Sequence, residues 1–478
     1  MSNWKIGSNI QGDNFDRPST IKSLAEPAIS SPGLNVRGMK CLIIAAGKGS
    51  RLKKISDSKP LTPILGVPLI ERVIRSAIKA GANDFCVVTG YQGGRVRAFL
   101  EDLAGRLGIP ITTIVNNVWE KENGYSVLRA REYLREPFLL LMADHLFDPS
   151  IVRELMEFPI GDDEIILVVD GNTHNSLVDM EDVTRVKTKD GKILKIGKGL
   201  KDLNGFDTGI FICTPAIFDA LEQSAGDYGD ASLTGAMRVL SADGRAIAVG
   251  TNGHFWIDVD DPAALKRAEN AILATLRDKP NDGPVSHYLN RPISMRISRW
   301  LVNRKITPNH ISLFSFFCSA LAAGLFAFGN YSTLLMGGVL AQCASIIDGC
   351  DGEVGRLKSQ SSRYGGWFDA VLDRYADALL LFGLMWHVYT NNANGLILLT
   401  GFLAIIGSFM LSYTADKYDN LMRNRINQSM KFRLGRDARV FLIFLGAILN
   451  QAFLTLVLIA VIMNIETIRR VIVCRNHE

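Results

Sequence analysis

The sequence Asp348-Gly-Cys-Asp-Gly-Glu-Val-Gly-Arg356 is followed, after eight residues, by Gly365-Gly-Trp-Phe-Asp-Ala-Val-Leu-Asp373. The first two aspartates are three residues apart and the last two are four apart, so each pair shares one face of a helix. Long apolar runs flank the stretch, which places these acids at the edge of a bilayer or just inside it, where ionisable groups are costly and usually functional. Four converging carboxylates repel one another unless a cation neutralises them, and oxygen ligands suit Mg²⁺ or Mn²⁺. The alternative, an acidic solvated loop, does not require the interleaved Arg and Gly.

This spacing resembles the signature of the CDP-alcohol phosphatidyltransferases, D-x2-D-G-x2-A-R-x8-G-x3-D-x3-D. The matching positions are Asp348, Asp351, Gly352, Arg356, Gly365, Asp369 and Asp373. Gly355 stands where the family usually has Ala, which preserves close helix approach but lowers local helix stiffness. The resemblance implies that the four aspartates bind two Mg²⁺ or Mn²⁺ ions and that Asp373 is also the general base. It further implies that Gly352, Arg356 and Gly365 contact the phosphates of a CDP-alcohol.

A second pattern lies near the start of the chain, where the apolar run 41–46 leads into Gly47-Lys-Gly-Ser-Arg51. A buried strand that opens into a Gly-rich turn presents backbone N–H groups to phosphate, although such a turn alone can equally be structural. The segment Lys59-Pro-Leu follows it, and Gly66-Val-Pro opens a helix. Together these segments resemble the nucleotidyltransferases that activate sugar phosphates, with their L-A-A-G-x-G-x-R-L and K-P-L motifs.

Apolar runs and helical patterns then alternate, as a doubly wound parallel sheet requires. Strands are predicted at 85–89, 112–116, 138–142 and 164–169. We therefore predict an α/β nucleotidyltransferase domain, Rossmann-like with a mostly parallel sheet, over residues 39–275.

Nucleotidyl transfer determines which residue types this domain needs. Attack of a phosphate monoester on the α-phosphorus of a nucleoside triphosphate concentrates negative charge, so a divalent cation and basic clamps are required. By the resemblance, the first domain binds at least one Mg²⁺ or Mn²⁺ ion through Asp144 and Asp258, and Lys59 and Arg51 bind phosphate as catalytic residues. Ala46, Gly47, Gly49 and Ser126 are assigned to the nucleotide, and Asp207, Thr208 and Gly209 to the second substrate.

Three assignments in this domain stay open. The segment Asp207-Thr208-Gly209 could equally be a turn before a strand, although the resemblance favours a role in holding the second substrate. Asp260 competes with Asp258 as the second metal ligand, or instead caps the helix that starts at Pro262. For His145, packing or hydrogen bonding is favoured over catalysis.

The bulk composition limits the remaining possibilities. The chain has 478 residues, a net charge of +5 and seven Cys without CxxC pairing, so neither a zinc site nor a disulfide framework is indicated. Residues 1–38 are polar and aperiodic and are predicted to form a flexible arm. We expect no nucleic-acid partner.

The chain changes character after the first domain. Residues 276–308 are predicted to contain a linker and then an amphipathic juxtamembrane helix on the membrane surface, because 285–308 holds five basic residues and no acid. The apolar stripe of this helix is formed by Ile293, Ile297, Trp300 and Leu301.

Residues 309–478 are predicted to form an all-α domain of six transmembrane helices. The apolar segments 309–347, 375–415 and 440–465 each split once, near 329–332, 390–394 and 450–451. The connections on one side carry all the basic residues, most clearly Arg423, Arg425, Lys431, Arg433, Arg436 and Arg439. By the positive-inside rule, both termini and both active sites of this multi-pass protein face the cytoplasm at the cell (inner) membrane. Arg436 either clamps an acceptor phosphate as a substrate-binding residue or only satisfies that rule.

Residues 39–465 as a whole resemble the family of bifunctional inositol-1-phosphate cytidylyltransferases and di-inositol-phosphate-phosphate synthases. The resemblance implies that CTP and inositol 1-phosphate, or a similar alcohol phosphate, give a CDP-alcohol, whose alcohol phosphate then passes to an acceptor hydroxyl with release of CMP. Three alternatives remain: a lipid acceptor, a regulatory first domain, and a transporter. The sequence is compatible with a homodimer but does not determine the oligomeric state.

Overall fold

The computed structural model describes residues 39–277, 283–422 and 435–475. The chain forms two compact units, one containing Leu69–Ala264 and the chain before Pro63, the other containing Pro63–Pro68 and Leu265–Glu478. The predicted flexible arm, most of the linker 279–284, and four residues of the basic connection lie outside the described residues. These four are Arg423, Arg425, Lys431 and Arg433.

The strands of the first unit come from short apolar runs bounded by turns. They are β1 (Lys40–Ala45), β4 (Asp84–Thr89), β5 (Ile111–Val115), β6 (Phe138–Met142), β7 (His145–Phe147), β8 (Ile165–Asp170), β9 (Arg185–Lys189), β10 (Lys192–Gly197), β11 (Gly205–Cys213), β12 (Ala246–Gly250) and β13 (Trp256–Asp258). The strands β2 (Pro63–Ile64) and β3 (Val67–Pro68) form a small hairpin that groups with the second unit.

Nine strands form the main sheet in the order β5-β4-β1-β6-β11-β8-β12-β10-β9. β1 pairs in parallel with β4 and β6, β4 with β5, and β8 with β12, while β11 is antiparallel to both β6 and β8. β10 is also antiparallel to β12 and to β9. The predicted α/β fold is therefore confirmed, but the sheet is mixed, with four of its eight neighbouring strand pairs parallel. The four predicted strands are β4, β5, β6 and β8, each displaced by at most one residue.

Amphipathic helices cover the sheet. In the first unit they are α1 (Leu69–Ala80), α2 (Gly93–Leu107), α3 (Gly124–Leu128), α4 (Pro149–Met156), α5 (Ala216–Tyr228) and α6 (Leu233–Ala242). The next helix, α7 (Pro262–Arg277), lies mostly in the second unit. Part of the core consists of Leu140, Leu167 and Phe211 from the sheet, and Phe138 stacks on Phe218 of α5 with ring centroids 5.8 Å apart.

The second unit is helical. After a π-helical turn at Ser286–Asn290 come α8 (Arg291–Leu301), α9 (Pro308–Phe326), α10 (Tyr331–Leu357), α11 (Arg363–Asn391), α12 (Gly395–Met422), α13 (Arg436–Ile448) and α14 (Ala452–Arg475). The breaks between α9 and α10, α11 and α12, and α13 and α14 coincide with the predicted splits. By length and composition, Pro308–Phe326, Tyr331–Leu357 and Gly395–Ala415 can cross a membrane, so the count of six spans stays a prediction.

Small residues let these helices approach closely, as is common in membranes. A methyl group on Gly338 of α10 would collide with Ala447 of α13, and one on Gly383 of α11 would lie 2.5 Å from the carbonyl oxygen of Ala323 on α9. A methyl group on Gly355 would lie 3.3 Å from Ser361 Oγ. The Ala of the signature would therefore fit here after a small adjustment.

The helix α8 buries polar rather than apolar side chains. Glu353 on α10 is fully buried and accepts hydrogen bonds from Arg291 Nη1, Ser294 Oγ and Ser298 Oγ at 2.8, 2.7 and 2.6 Å. The predicted apolar stripe is divided, because Leu301 is buried while Ile293 and Trp300 are exposed. The carboxylate of Glu353 requires donors, which accounts for the polar inner face.

Candidate active sites

The first candidate site lies at the carboxyl ends of β1 and β6, where open α/β sheets commonly bind ligands. The Gly47–Gly49 turn follows β1, and Asp144 follows β6. The antiparallel pairing of β13 with β7 places Asp258 directly opposite His145. Segments far apart in sequence thus converge on one point.

Asp144, His145 and Asp258 form a cluster in which one ligand atom from each lies within 4.8 Å of the others. His145 Nδ1 is 2.8 Å from Asp144 Oδ1 and 3.8 Å from Asp258 Oδ1. Asp258 Oδ1 is buried and has no hydrogen-bond partner among the described residues. A buried carboxylate oxygen without a donor is costly, so this donor set fits a divalent cation.

The pKa values show that this pocket needs positive charge. Burial raises the pKa of Asp258 to about 7, although His145 opposes the shift. Burial alone would lower the pKa of His145, but Asp258 and Asp144 raise it to about 9. The two acids therefore favour the protonated imidazole, and the hydrogen bond between His145 and Asp144 is of the kind expected for this histidine from the sequence.

Two basic side chains stand next to the cluster. Lys59 Nζ forms ion pairs with Asp144 and Asp260, and Arg51 Nη2 lies 2.6 Å from Asp182 Oδ2 and 3.4 Å from Asp260 Oδ2. Burial opposes protonation of Lys59, but Asp144, Asp258 and Asp260 together raise its pKa. Asp260 therefore orients two cations.

Asp260 was also considered as the cap of the helix that starts at Pro262, but the capping residue is its neighbour Asp261. Asp261 caps α7, because its carboxylate accepts a hydrogen bond of 2.7 Å from Ala264 N.

Gly49 adopts a φ of +60°, and a side chain there would collide with the Lys59 side chain. The glycine thus serves both the turn and the position of Lys59.

Two adjoining cavities contain these groups. The larger cavity has a volume of about 770 Å³, which is in the size range of ligand sites. It is lined by residues that were predicted to bind the nucleotide, the second substrate or the metal. These are Ala46, Gly47, Ser126, Asp144, Asp207, Gly209 and Asp258. The smaller, about 260 Å³, is lined by Gly47, Gly49, Arg51 and Lys59, as a phosphate pocket requires.

Within the larger cavity Ser126 is fixed, because its Oγ accepts a hydrogen bond of 3.0 Å from Asn116 Nδ2. Burial raises the pKa of Asp207, although its hydrogen bond from Gly209 N, at 2.8 Å, opposes the shift. Thr208, by contrast, is fully buried and donates to Val168 O at 2.8 Å, a placement that favours a structural role over substrate binding.

The second candidate site is formed by α10 and α11. One carboxylate oxygen from each of Asp348, Asp369 and Asp373 lies within 4.8 Å of the others. Asp369 Oδ1 is buried without a hydrogen-bond partner among the described residues. Three converging carboxylates, one with an orphaned oxygen, fit a divalent cation.

Asp351, the fourth predicted ligand, lies outside that group of three. Ser312 Oγ of α9 donates to Asp351 Oδ2 at 2.5 Å, and Ser315 Oγ donates to Asp348 Oδ1 at 3.1 Å. Two serines one helical turn apart thus orient the first two aspartates of the signature.

Arg436, at the start of α13, contacts three acids. Its Nη1 lies 2.6 Å from Asp348 Oδ2 and 2.9 Å from Asp373 Oδ1, and its Nε lies 3.3 Å from Asp377 Oδ1. Charge pairing within the site, and not only the sidedness of basic residues in the membrane, therefore accounts for this arginine.

The glycines of the signature make room for polar groups. A methyl group on Gly352 would lie 3.2 Å from Arg356 Nη1. One on Gly365 would lie 3.2 Å from Asn309 Oδ1, and the backbone N–H of Gly365 donates to Ser362 Oγ, the N-cap of α11.

The sequences of known proteins identify the family. A MobA-like NTP transferase domain matches residues 41–244, and a CDP-alcohol phosphatidyltransferase domain matches residues 305–468. The chain is 33% identical over 444 residues, 92% of its length and 97% of the relative's, to the bifunctional IPC transferase and DIPP synthase of Rubrobacter xylanophilus. The chain belongs to the bifunctional IPC transferase and DIPP synthase family.

A second relative and one solved structure are also similar to this chain. The bifunctional IPC transferase and DIPP synthase of Archaeoglobus fulgidus is 31% identical over 455 residues, covering 90% of this chain and 85% of the relative. The solved inositol-1-phosphate CTP transferase of T. maritima is 27% identical, with a TM-score of 0.44, over 49% of this chain and 94% of that one. The chain is an enzyme with a nucleotidyltransferase domain and a membrane-embedded CDP-alcohol phosphotransferase domain.

Several residues at the two sites lie outside the sequence motifs. Asp182, the partner of Arg51, lies in an irregular segment after β8 that carries no periodic signal. Asp377 stood out only as the single charge in an apolar run. The Ser312 and Ser315 pair had a usable signal, since the two hydroxyls lie one turn apart on a helix next to the signature.

We expect Gly209→Ala to inactivate the first site. Gly209 has a φ of +72°, and an added methyl group would lie 2.8 Å from the His145 ring. The backbone strain costs about 1–3 kcal/mol and the collision displaces His145. Gly191→Ala is the matched control, because Gly191 has a φ of +76° but open space around it. Loss of cytidylyl transfer in the first variant and retention in the second would show that the His145 contact is decisive; equal effects would contradict this.

Proposed function

We propose that the first domain joins CTP to inositol 1-phosphate, giving CDP-inositol and pyrophosphate, and that the membrane domain transfers the inositol phosphate unit to a second inositol phosphate with release of CMP. One observation supports this above the others: each domain holds an acidic cluster fit for a cation beside basic side chains, in a chain that matches bifunctional IPC transferase and DIPP synthases over nearly its full length.

In the first reaction, a phosphate oxygen of inositol 1-phosphate attacks the α-phosphorus of CTP, and the bond to the β-phosphate breaks. The Gly47–Gly49 turn, Lys59 and Arg51 surround the smaller cavity and would hold the triphosphate. Asp144 and Asp258 would hold the divalent ion, most simply Mg²⁺, which neutralises charge on the reacting phosphates. Because Arg51 and Lys59 are paired with acids here, the incoming phosphates exchange partners with those acids.

In the second reaction, the acceptor hydroxyl attacks the phosphorus that carries inositol in CDP-inositol, and CMP leaves with the bridging oxygen. Asp373 would take the proton of that hydroxyl, and Arg356 would contact the CDP phosphates. Asp348, Asp351, Asp369 and Asp373 would hold two Mg²⁺ or Mn²⁺ ions, which polarise the pyrophosphate bridge. Arg436 would then face the phosphate of the acceptor.

We place the enzyme in the cell membrane as a multi-pass protein with both termini and both sites on the cytoplasmic side. This topology is supported by the one-sided distribution of basic residues. CDP-inositol made by the first domain would then be released on the side where the second site opens. The homodimer stays a prediction.

Incubation of the purified, detergent-solubilised protein with CTP, Mg²⁺ and radiolabelled inositol 1-phosphate tests the proposal, with the products separated by charge. We expect labelled CDP-inositol that converts further to a phosphodiester. Accumulation of CDP-inositol until lipid is added would replace the acceptor by a membrane alcohol. The absence of cytidylyl transfer to any alcohol phosphate would contradict the proposal for the first domain.

A further inference from the structure

A buried ion-pair network lies behind the acidic cluster of the membrane domain. Its centre is Asp377 on α11, one turn after Asp373, with a side chain that is only 3% exposed. Arg439 Nη2 lies 2.5 Å from Asp377 Oδ2, and Arg436 Nε lies 3.3 Å from Asp377 Oδ1. Ser408 Oγ of α12 donates to Oδ2 at 3.4 Å. Both oxygens of this carboxylate are therefore engaged.

The geometry of Arg436 connects this network to the cluster. Its Nε faces Asp377, while its Nη1 faces Asp348 and Asp373. Because the guanidinium is planar and rigid, fixing the Nε edge also fixes the direction of the Nη groups. Asp377 thus determines where Arg436 presents its charge.

The two arginines have different environments. Arg439 is 4% exposed, and the ion pair found for it among the described residues is the one with Asp377. Arg436 reaches past Asp377 to the cluster. Positive charges in the first turn of a helix are disfavoured by the helix dipole, and buried charges in a membrane require partners. Arg439 and the Nε edge of Arg436 therefore contact different oxygens of Asp377, and the Nη1 group of Arg436 faces the cluster.

We propose that Asp377 is a positioning residue for the transfer reaction, which holds Arg436 where its Nη groups receive the phosphate of the acceptor. This role rests on the proposed function, because a phosphorylated acceptor is what needs a fixed cation beside several carboxylates. A guanidinium with a fixed edge can bind a phosphate through two parallel N–H groups, whereas a mobile one loses entropy on binding.

The test compares two variants in the transfer reaction, started with supplied CDP-inositol. Asp377→Leu/Arg439→Gln removes the acceptor that holds Arg436 Nε and keeps the network balanced in charge. Arg439→Gln alone is the matched control, because Asp377 then still holds Arg436. We expect the acceptor KM to rise at least tenfold in the double variant with kcat within threefold of wild type, and to stay within threefold in the control. Restoration of Asp377 as Glu should recover part of the KM.

Two results would overturn the inference. A merely structural role would lower kcat, through the amount of active enzyme, and leave KM unchanged in the double variant. Equal KM increases in both variants would show that the network as a whole, and not Asp377, acts. Cytidylyl transfer by the first domain serves as the control for the amount of protein in each assay.

A second measurement separates this inference from the proposed function. Absence of transfer from the wild type to any phosphorylated acceptor would contradict the proposed function alone. Mn²⁺ titration in an Asp144→Asn background, followed by electron paramagnetic resonance, then still reports on Arg436, because Asp348 and Asp373, which pair with Arg436, would also hold the ion. We expect at least threefold tighter Mn²⁺ binding when Arg436 is released, and unchanged affinity would overturn the inference.

Discussion

Asp369→Asn is expected to lower the rate of transfer from CDP-inositol about a hundredfold or more, while CDP-inositol synthesis continues. Asp369 carries the buried oxygen without a hydrogen-bond donor, so the substitution removes charge at the point where a cation is most needed. Arg436 forms its ion pairs with other acids, so its position should survive the change. With CTP and labelled inositol 1-phosphate, the variant should accumulate CDP-inositol and form no phosphodiester.

A matched control for this variant is Glu466→Gln. Glu466 lies on α14 and pairs with Arg469 and Arg470, away from the cluster. We expect both reactions at wild-type rates. Transfer by Asp369→Asn within tenfold of wild type would contradict the assignment of the cluster as the metal site.

Asp144→Asn is expected to impair the first reaction and to leave the second reaction intact. The Asp144 carboxylate lies between two cations, with Lys59 at one oxygen and His145 at the other. Without the negative charge of Asp144, Lys59 and His145 repel each other across the site. The substitution also removes a ligand of the ion that would offset the phosphate charge. Cytidylyl transfer should fall by about a hundredfold or more, while transfer from supplied CDP-inositol persists.

The control for this variant is Asp148→Asn on the same segment. Asp148 caps α4 by accepting a hydrogen bond of 2.8 Å from Ser150 N, and Asn is an equally good cap. Its two activities should match the wild type. If Asp144→Asn lost both reactions, the cause would be a loss of folding, and retention of cytidylyl transfer would place the metal elsewhere.

Residue spacing and apolar runs in the sequence predicted the parts of both sites that lie within one helix or at the end of one strand. The acids of the signature share helix faces because of their spacing, and the apolar runs of β1 and β6 end at Gly47 and Asp144. The remainder depends on tertiary pairing. Asp258 meets His145 only because β13 pairs with β7 across more than a hundred residues, and Asp377 meets Arg439 only because α11 and α13 are neighbours. No spacing along the chain encodes such contacts.

The buried carboxylate of Glu353 also decides where the membrane domain begins. Sequence similarity starts that domain at residue 305, yet three of the donors to Glu353 lie on α8, before that point. A fragment cut at residue 305 would leave an anion in a dry interior with its partners removed, at a cost of about 3–5 kcal/mol. The smallest part of the chain able to stand alone as the transferase therefore begins ahead of α8. Helix α8 is part of the fold and not a tether to it.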